Sequence, residues 1–177
     1  MIDSLAKAQA LIKDVADYPK LGVIFKDITP LLANGNALHA ITDALSAFAT
    51  PSACIAGIEA RGFIFASTVA ANLHRGFIPI RKSGKLPFTT HEKSYALEYG
   101  EASIEIHIDA IAPGQEVLLI DDVLATGGTM CAAIELIAQC GGLVTGIATV
   151  IEIPILEGRN RISSLYPSIP IHALMIS

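Results

Sequence analysis

Apolar residues behind Ser4 recur at Leu5, Ala8, Leu11, Ile12 and Val15. That spacing predicts an amphipathic first helix ending near Tyr18-Pro19, because the residue before a proline is pushed out of the helical region. After the segment Leu21 to Leu32, a second helix is predicted from Asn36 to Ala49, stopped by Thr50-Pro51. Short apolar runs then alternate with helical stretches: strand Cys54 to Ile58, helix Gly62 to His74, strand Phe77 to Arg81. Such alternation is the pattern of βα units building a parallel sheet. The pattern resumes at Val117 to Ile120, whose continuous apolar run suits a strand covered on both faces. A helix from Thr129 to about Cys140, a Gly141-Gly142 stop and a strand from Leu143 to Ile151 follow.

Between these blocks the periodicity breaks. Residues 82–101 mix charge, aromatics, Gly and Pro with no steady period, which predicts a flexible lid, either a long loop or a β-ribbon. Ser103-Ile104-Glu105-Ile106-His107-Ile108 alternates with period two and predicts a half-exposed strand, with a turn at Ala112-Pro113-Gly114. No repeat or linker divides the chain, so residues 1–177 are expected to form a single α/β domain with a central, mostly parallel sheet flanked by helices.

Composition narrows the function. The chain is 52% hydrophobic, but Gly, Pro or charge interrupts every apolar stretch, so no run of about 20 residues suits a membrane span. The apolar excess favours an oligomer interface instead. Met1-Ile2-Asp3-Ser4-Leu5 has no basic region leading into an apolar core, so no secretory signal is expected and the cytoplasm is the expected compartment. Cys54, Cys131 and Cys140 form no CxxC pair and read as buried thiols. A net charge of −5 argues against a nucleic-acid surface, whose affinity rests on Lys and Arg. The five histidines, at 39, 74, 91, 107 and 172, lack metal-ligand spacing.

The chemistry concentrates in Val117-Leu118-Leu119-Ile120-Asp121-Asp122-Val123-Leu124-Ala125-Thr126-Gly127-Gly128-Thr129. A buried strand presents two carboxylates, Asp121 and Asp122, at its carboxyl end, where open α/β sheets bind ligands. Small residues then let backbone amides converge at the start of a helix, whose dipole favours an anion. Carboxylates that accept from sugar hydroxyls, beside a phosphate cradle, suit a sugar phosphate. Other phosphate motifs are missing: Leu86 follows Gly84-Lys85 where a Walker loop needs Ser or Thr, and GxGxxG does not occur.

This segment closely resembles the phosphoribosyl pyrophosphate (PRPP) motif of type I phosphoribosyltransferases. The resemblance implies that fold, with an N-terminal hood over residues 1–35 and a lid over 82–101. It also implies that Asp121 and Asp122 hold the ribose hydroxyls while Ala125, Thr126, Gly127, Gly128 and Thr129 bind the 5′-phosphate.

Three more segments resemble the adenine-specific branch. In Tyr18-Pro19-Lys20-Leu21-Gly22-Val23-Ile24-Phe25-Lys26-Asp27-Ile28-Thr29-Pro30-Leu31-Leu32, the likeness implies that Phe25 stacks on the base while backbone near Ile24, Phe25 and Lys26 reads its edge. A carbonyl there accepts from a 6-amino group and mismatches a 6-oxo purine. Gly57-Ile58-Glu59-Ala60-Arg61-Gly62-Phe63 resembles the pyrophosphate loop, with Arg61 on the leaving group. Arg81-Lys82-Ser83-Gly84-Lys85-Leu86-Pro87 is the third, with Ser94-Tyr95-Ala96-Leu97-Glu98-Tyr99-Gly100 beyond it. There Arg81, Lys82 and Lys85 close over pyrophosphate, and Glu98 moves the proton that assists N9 attack on C1′. Val150-Ile151-Glu152-Ile153 matches more loosely, with Ile153 on the far face of the base.

The implied function is transfer of phosphoribose from PRPP to adenine in purine salvage, giving AMP and pyrophosphate, with Mg²⁺ held mainly by the substrate and with a homodimeric assembly. A transferase for another purine base and a non-catalytic PRPP sensor are the alternatives. The hood and Leu97-Glu98-Tyr99 oppose the first; negative charge and a single short leading helix oppose the second.

Overall fold

The computed structural model describes residues 2–96 and 101–177, and divides by packing into two compact units, residues 1–44 and 45–177. In the first, α1 (Ile2–Gln9) ends well before the predicted Tyr18-Pro19 stop, and Lys13–Ala16 is instead strand β1. β1 pairs antiparallel with β2 (Ile24–Asp27), in register Lys13↔Asp27 through Ala16↔Ile24. All four β1 residues are exposed, so backbone pairing rather than burial holds them, and that overrides the helical spacing of Ile12 and Val15. The turn between them is fixed by Gly22, whose φ of +86° suits only glycine well and whose N–H donates to Asp17 Oδ1 at 2.7 Å. A short helix, α2 (Thr29–Leu32), leads into α3 (Gly35–Ser46), which ends three residues before the predicted limit and crosses the boundary between the units.

The second unit is built on a seven-stranded sheet among the described residues. Its strands are β3 (Cys54–Ile58), β4 (Phe77–Lys82), β5 (Thr90–Ala96), β6 (Glu101–His107), β7 (Glu116–Leu124), β8 (Leu143–Glu152) and β9 (Ile171–Ile176), in the order β5-β6-β4-β3-β7-β8-β9. β4, β3, β7, β8 and β9 run parallel; β6 and β5 extend the edge as an antiparallel ribbon, the second of the two forms expected for residues 82–101. Helix α4 (Arg61–Asn72) joins β3 to β4, and α5 (Gly128–Gln139) joins β7 to β8. After β8 come a 3₁₀ turn at Pro154–Leu156 and helix α6 (Gly158–Leu165).

Every residue of β3 is buried, as are Val117 to Ile120 of β7, consistent with the continuous apolar runs. Each such Ile or Leu contributes about 1.5–3 kcal/mol on leaving water. One departure matters for the site. Glu105 of β6 was predicted on an exposed face but is buried, 4% exposed, because its carboxylate is the anchor of a neighbouring loop.

The chain leaves β3 toward β4 on one side and leaves β7 toward β8 on the other. Between the carboxyl ends of β3 and β7 the two crossovers diverge and open a crevice, the usual ligand position in such sheets. No helix among the described residues is long and apolar enough to cross a membrane.

Candidate active site

The crevice brings together the loop after β3 and the loop after β7, as expected from their sequences. β7 runs on to Leu124, so Asp121 and Asp122 lie inside its last turn of chain rather than past its end. Asp121 and Asp122 differ in role. Asp121 Oδ1 accepts the N–H of Asp122 at 2.9 Å and its side chain faces the phosphate cradle. Burial and then the adjacent Asp122 charge push its carboxyl well above the ordinary aspartate range. Asp122 is also raised by burial, and the Arg61 guanidinium pulls against that shift. Arg61 Nε stands 2.7 Å from Asp122 Oδ2 as an ion pair without a well-directed hydrogen bond, and a third of the arginine side chain stays exposed.

Gly62 makes this approach possible. A Cβ there would stand 2.7 Å from Asp121 Oδ1 and 3.0 Å from the Ile120 carbonyl, so the first turn of α4 can abut β7 only with glycine. The Glu59-Ala60 peptide just before it is cis.

Ala125, Thr126, Gly127 and Thr129 line a small cavity together with Asp121, Val123, Leu124 and Met130. Gly127 caps α5 with φ +76° and no side chain bonds the first amides of that helix, which leaves the cap for a ligand oxygen.

In the basic segment, Arg81 Nε faces Glu59 Oε2 at 3.2 Å and its Nη1 donates to the Lys85 carbonyl at 2.9 Å, so it braces the loop. Glu59 also accepts the Lys82 N–H at 3.0 Å. Glu105 accepts the N–H groups of Lys85 and Leu86, each at 2.7 Å, and the Thr90 hydroxyl at 3.2 Å. Burial works to raise both glutamates, yet the donors outweigh it and hold both below the usual range. The Lys82 and Lys85 side chains are exposed at the carboxyl end of β4.

Ile24, Phe25 and Lys26 lie on β2 of the first unit. Phe25 meets Tyr18 edge to face at 5.2 Å, and Lys26 Nζ pairs with Asp14 at 2.7 Å. Ile153 follows β8, its N–H tied to the Leu124 carbonyl at 2.9 Å. Leu97, Glu98, Tyr99 and Gly100 lie outside the described residues. Among the described residues no three His, Cys, Asp or Glu side chains converge as a metal site.

Sequence reading missed Gly158. A Cβ there would run into the Ala125 carbonyl and stand 2.9 Å from Gly127 N, so the start of α6 is the back wall of the cradle. A Gly-Arg pair after a proline turn is the sequence signal that marked it.

Residues 31–164 match the phosphoribosyl transferase domain. The adenine phosphoribosyltransferase of Thermobifida fusca is 50% identical over 156 residues, 87% of this chain and 89% of that protein. The chain belongs to the adenine phosphoribosyltransferase family. The crystal structure of the family member from Rhodothermus marinus superposes with a TM-score of 0.92 at 42% identity, covering 100% of both chains. That from Saccharomyces cerevisiae, complexed with D-2,5-dideoxy-2,5-imino-altritol 1,6-bisphosphate and adenine, gives 0.90 at 32% identity, covering 98% of this chain and 99% of that one. In this family's α/β fold the crevice between β3 and β7 carries the acidic pair, the small-residue turn after β7 and Arg61.

Proposed function

We propose that this protein transfers the phosphoribosyl group of PRPP to N9 of adenine, releasing AMP and pyrophosphate. The carrying observation is the cavity at the small-residue turn that opens α5, lined by Ala125, Thr126, Gly127 and Thr129, continuous with Asp121 and one strand away from Arg61. The cradle amides take the 5′-phosphate, Asp121 and Asp122 accept from the ribose 2′- and 3′-hydroxyls, and Arg61 with Lys85 and Lys82 stabilises charge growing on the leaving diphosphate. Arg81 keeps that loop in place. On this assignment ribose hydroxyls compete with Arg61 for Asp122, which frees guanidinium donors as the diphosphate departs.

By the family resemblance Phe25 is assigned to stacking on adenine and the backbone at Ile24 to Lys26 to accepting from its 6-amino group, and Ile153 is assigned to the base as well. Glu98 receives the proton role from its resemblance to the family segment. The adenine named with the yeast structure supports the base assignment. Magnesium bound to the diphosphate would offset its charge. Diphosphate oxygens and water would supply most of its shell. A homodimer is assigned by the family resemblance.

The test is to mix purified protein with magnesium, PRPP and each purine base and follow nucleotide. AMP from adenine is expected. Product from hypoxanthine but not adenine, or PRPP binding without turnover on any base, would overturn the proposal.

A further inference from the structure

We infer that Arg159 and Glu152 are positioning residues for the 5′-phosphate loop, acting through Gly158. The loop has no side-chain brace of its own: Gly127 caps α5 without a side-chain hydrogen bond and adopts φ +76°. It leans on another backbone. A Cβ on Gly127 would stand 2.9 Å from the Gly158 carbonyl and 3.2 Å from Gly158 Cα, and one on Gly158 would strike the Ala125 carbonyl. Two glycines in mutual contact transmit any shift of α6 directly to the cradle amides.

What holds α6 there is the next residue. Arg159 Nε lies 2.9 and 3.1 Å from the two carboxylate oxygens of Glu152, and Nη2 lies 2.5 Å from Oε2. Its Nη1 donates to the Ile171 carbonyl at 2.8 Å. Glu152 is 4% exposed and closes β8 opposite Leu124, one residue before the loop begins. One guanidinium therefore ties the end of β8 and the starts of α6 and β9 to a single point behind the loop. Only a planar fork satisfies both partners; an ammonium at the same place would keep the charge and lose the fixed orientation. Ile162, fully buried one turn on, packs beside Gly127 and completes the wall.

The inference rests on the proposed reaction, so wild-type turnover of adenine and PRPP is measured first; its absence sinks that reading and leaves the clamp to be judged by binding. R159K and G158A are then compared with wild type. Each is expected to raise KM for PRPP at least about tenfold, with KM for adenine and kcat within about threefold, the split expected when ground-state binding of one group is lost. The same variants should weaken AMP binding about tenfold by equilibrium titration, because AMP carries the 5′-phosphate. G158A leaves the ion pair intact and tests only the contact of Gly158 with the loop; if R159K does not fold, E152Q, which keeps the shape of the side chain and removes its charge, tests the clamp by the same split in KM. An unchanged KM for PRPP in a folded variant, or equal rises for both substrates, would overturn the clamp.

Discussion

The loop after β7, proposed to hold the phosphate, and the basic loop after β4 sit at strand ends on either side of β3, yet they are held by opposite means. The first, Ala125 to Thr129, contains no charged side chain and is fixed by backbone contact with Gly158. The second carries Arg81, Lys82 and Lys85 and is folded around two carboxylates, Glu59 and Glu105. A terminal phosphate needs a rigid nest of amides, whose dipoles require no reorganisation. A departing diphosphate needs mobile charge, and mobile cations stay aimed only if the backbone beneath them is anchored. The two acidic anchors also keep the basic loop's cations from repelling one another, which the phosphate loop never faces.

The comparison breaks most sharply at Gly127. Gly127→Val puts a branched side chain at φ +76° and against the Gly158 carbonyl. We expect kcat/KM for PRPP to fall at least about a hundredfold, about 2.7 kcal/mol of transition-state binding. Steady-state kinetics checks this, and near-normal kinetics would show that the cradle does not depend on that contact.

A smaller effect is expected at the other loop. Glu105→Ala strands the Lys85 and Leu86 amides, at about 1–3 kcal/mol for each group left unpaired, and should raise KM for PRPP about tenfold. Glu105→Gln keeps an acceptor oxygen and should restore most of it. The folded pKa of Glu105 is depressed, so its stabilisation is present above the ordinary glutamate pKa of about 4.3 and is lost as pH falls through the lower folded value. The Tm deficit of Glu105→Ala should accordingly shrink on acidification; a deficit that persists in acid would refute the carboxylate anchor.

Asp121 should show the reverse sign and the smallest change. Its folded pKa is raised, so wild-type stability falls as pH climbs from about 3.9 toward that raised value. Asp121→Asn removes the penalty and should raise Tm at neutral pH by at least about 2 °C, while weakening PRPP binding. The gain should vanish below the ordinary aspartate range. Thermal melts across pH with and without PRPP measure both arms, and a lowered neutral-pH Tm would contradict a strained acidic pair.

The βα core was legible because each of its strands is a short run buried through local sequence alone. β3 matches its predicted span, and α4, β4, α5 and β8 fall within two residues of theirs. The first helix was misread because spacing at Leu11, Ile12 and Val15 mimics a helical face, while pairing with β2, many residues away, takes Lys13 to Ala16 into a hairpin. Glu105 was misplaced for a related reason: alternation assumes that charge seeks water, and here three donors from another segment replace water. α6 and β9 carried no strong local period and went unread.

The chain's own order of residues determined the parallel core, the acidic pair after a buried strand, and the small-residue turn that opens α5. Those are local features, set by burial of short apolar runs and by the conformational freedom of glycine. Tertiary structure alone decided that Asp122 pairs with Arg61, that Arg81 braces rather than faces outward, and that Gly158 backs the phosphate loop. Each of these depends on groups distant in sequence meeting within a few ångströms, where hydrogen-bond geometry and packing choose among partners that composition leaves equivalent.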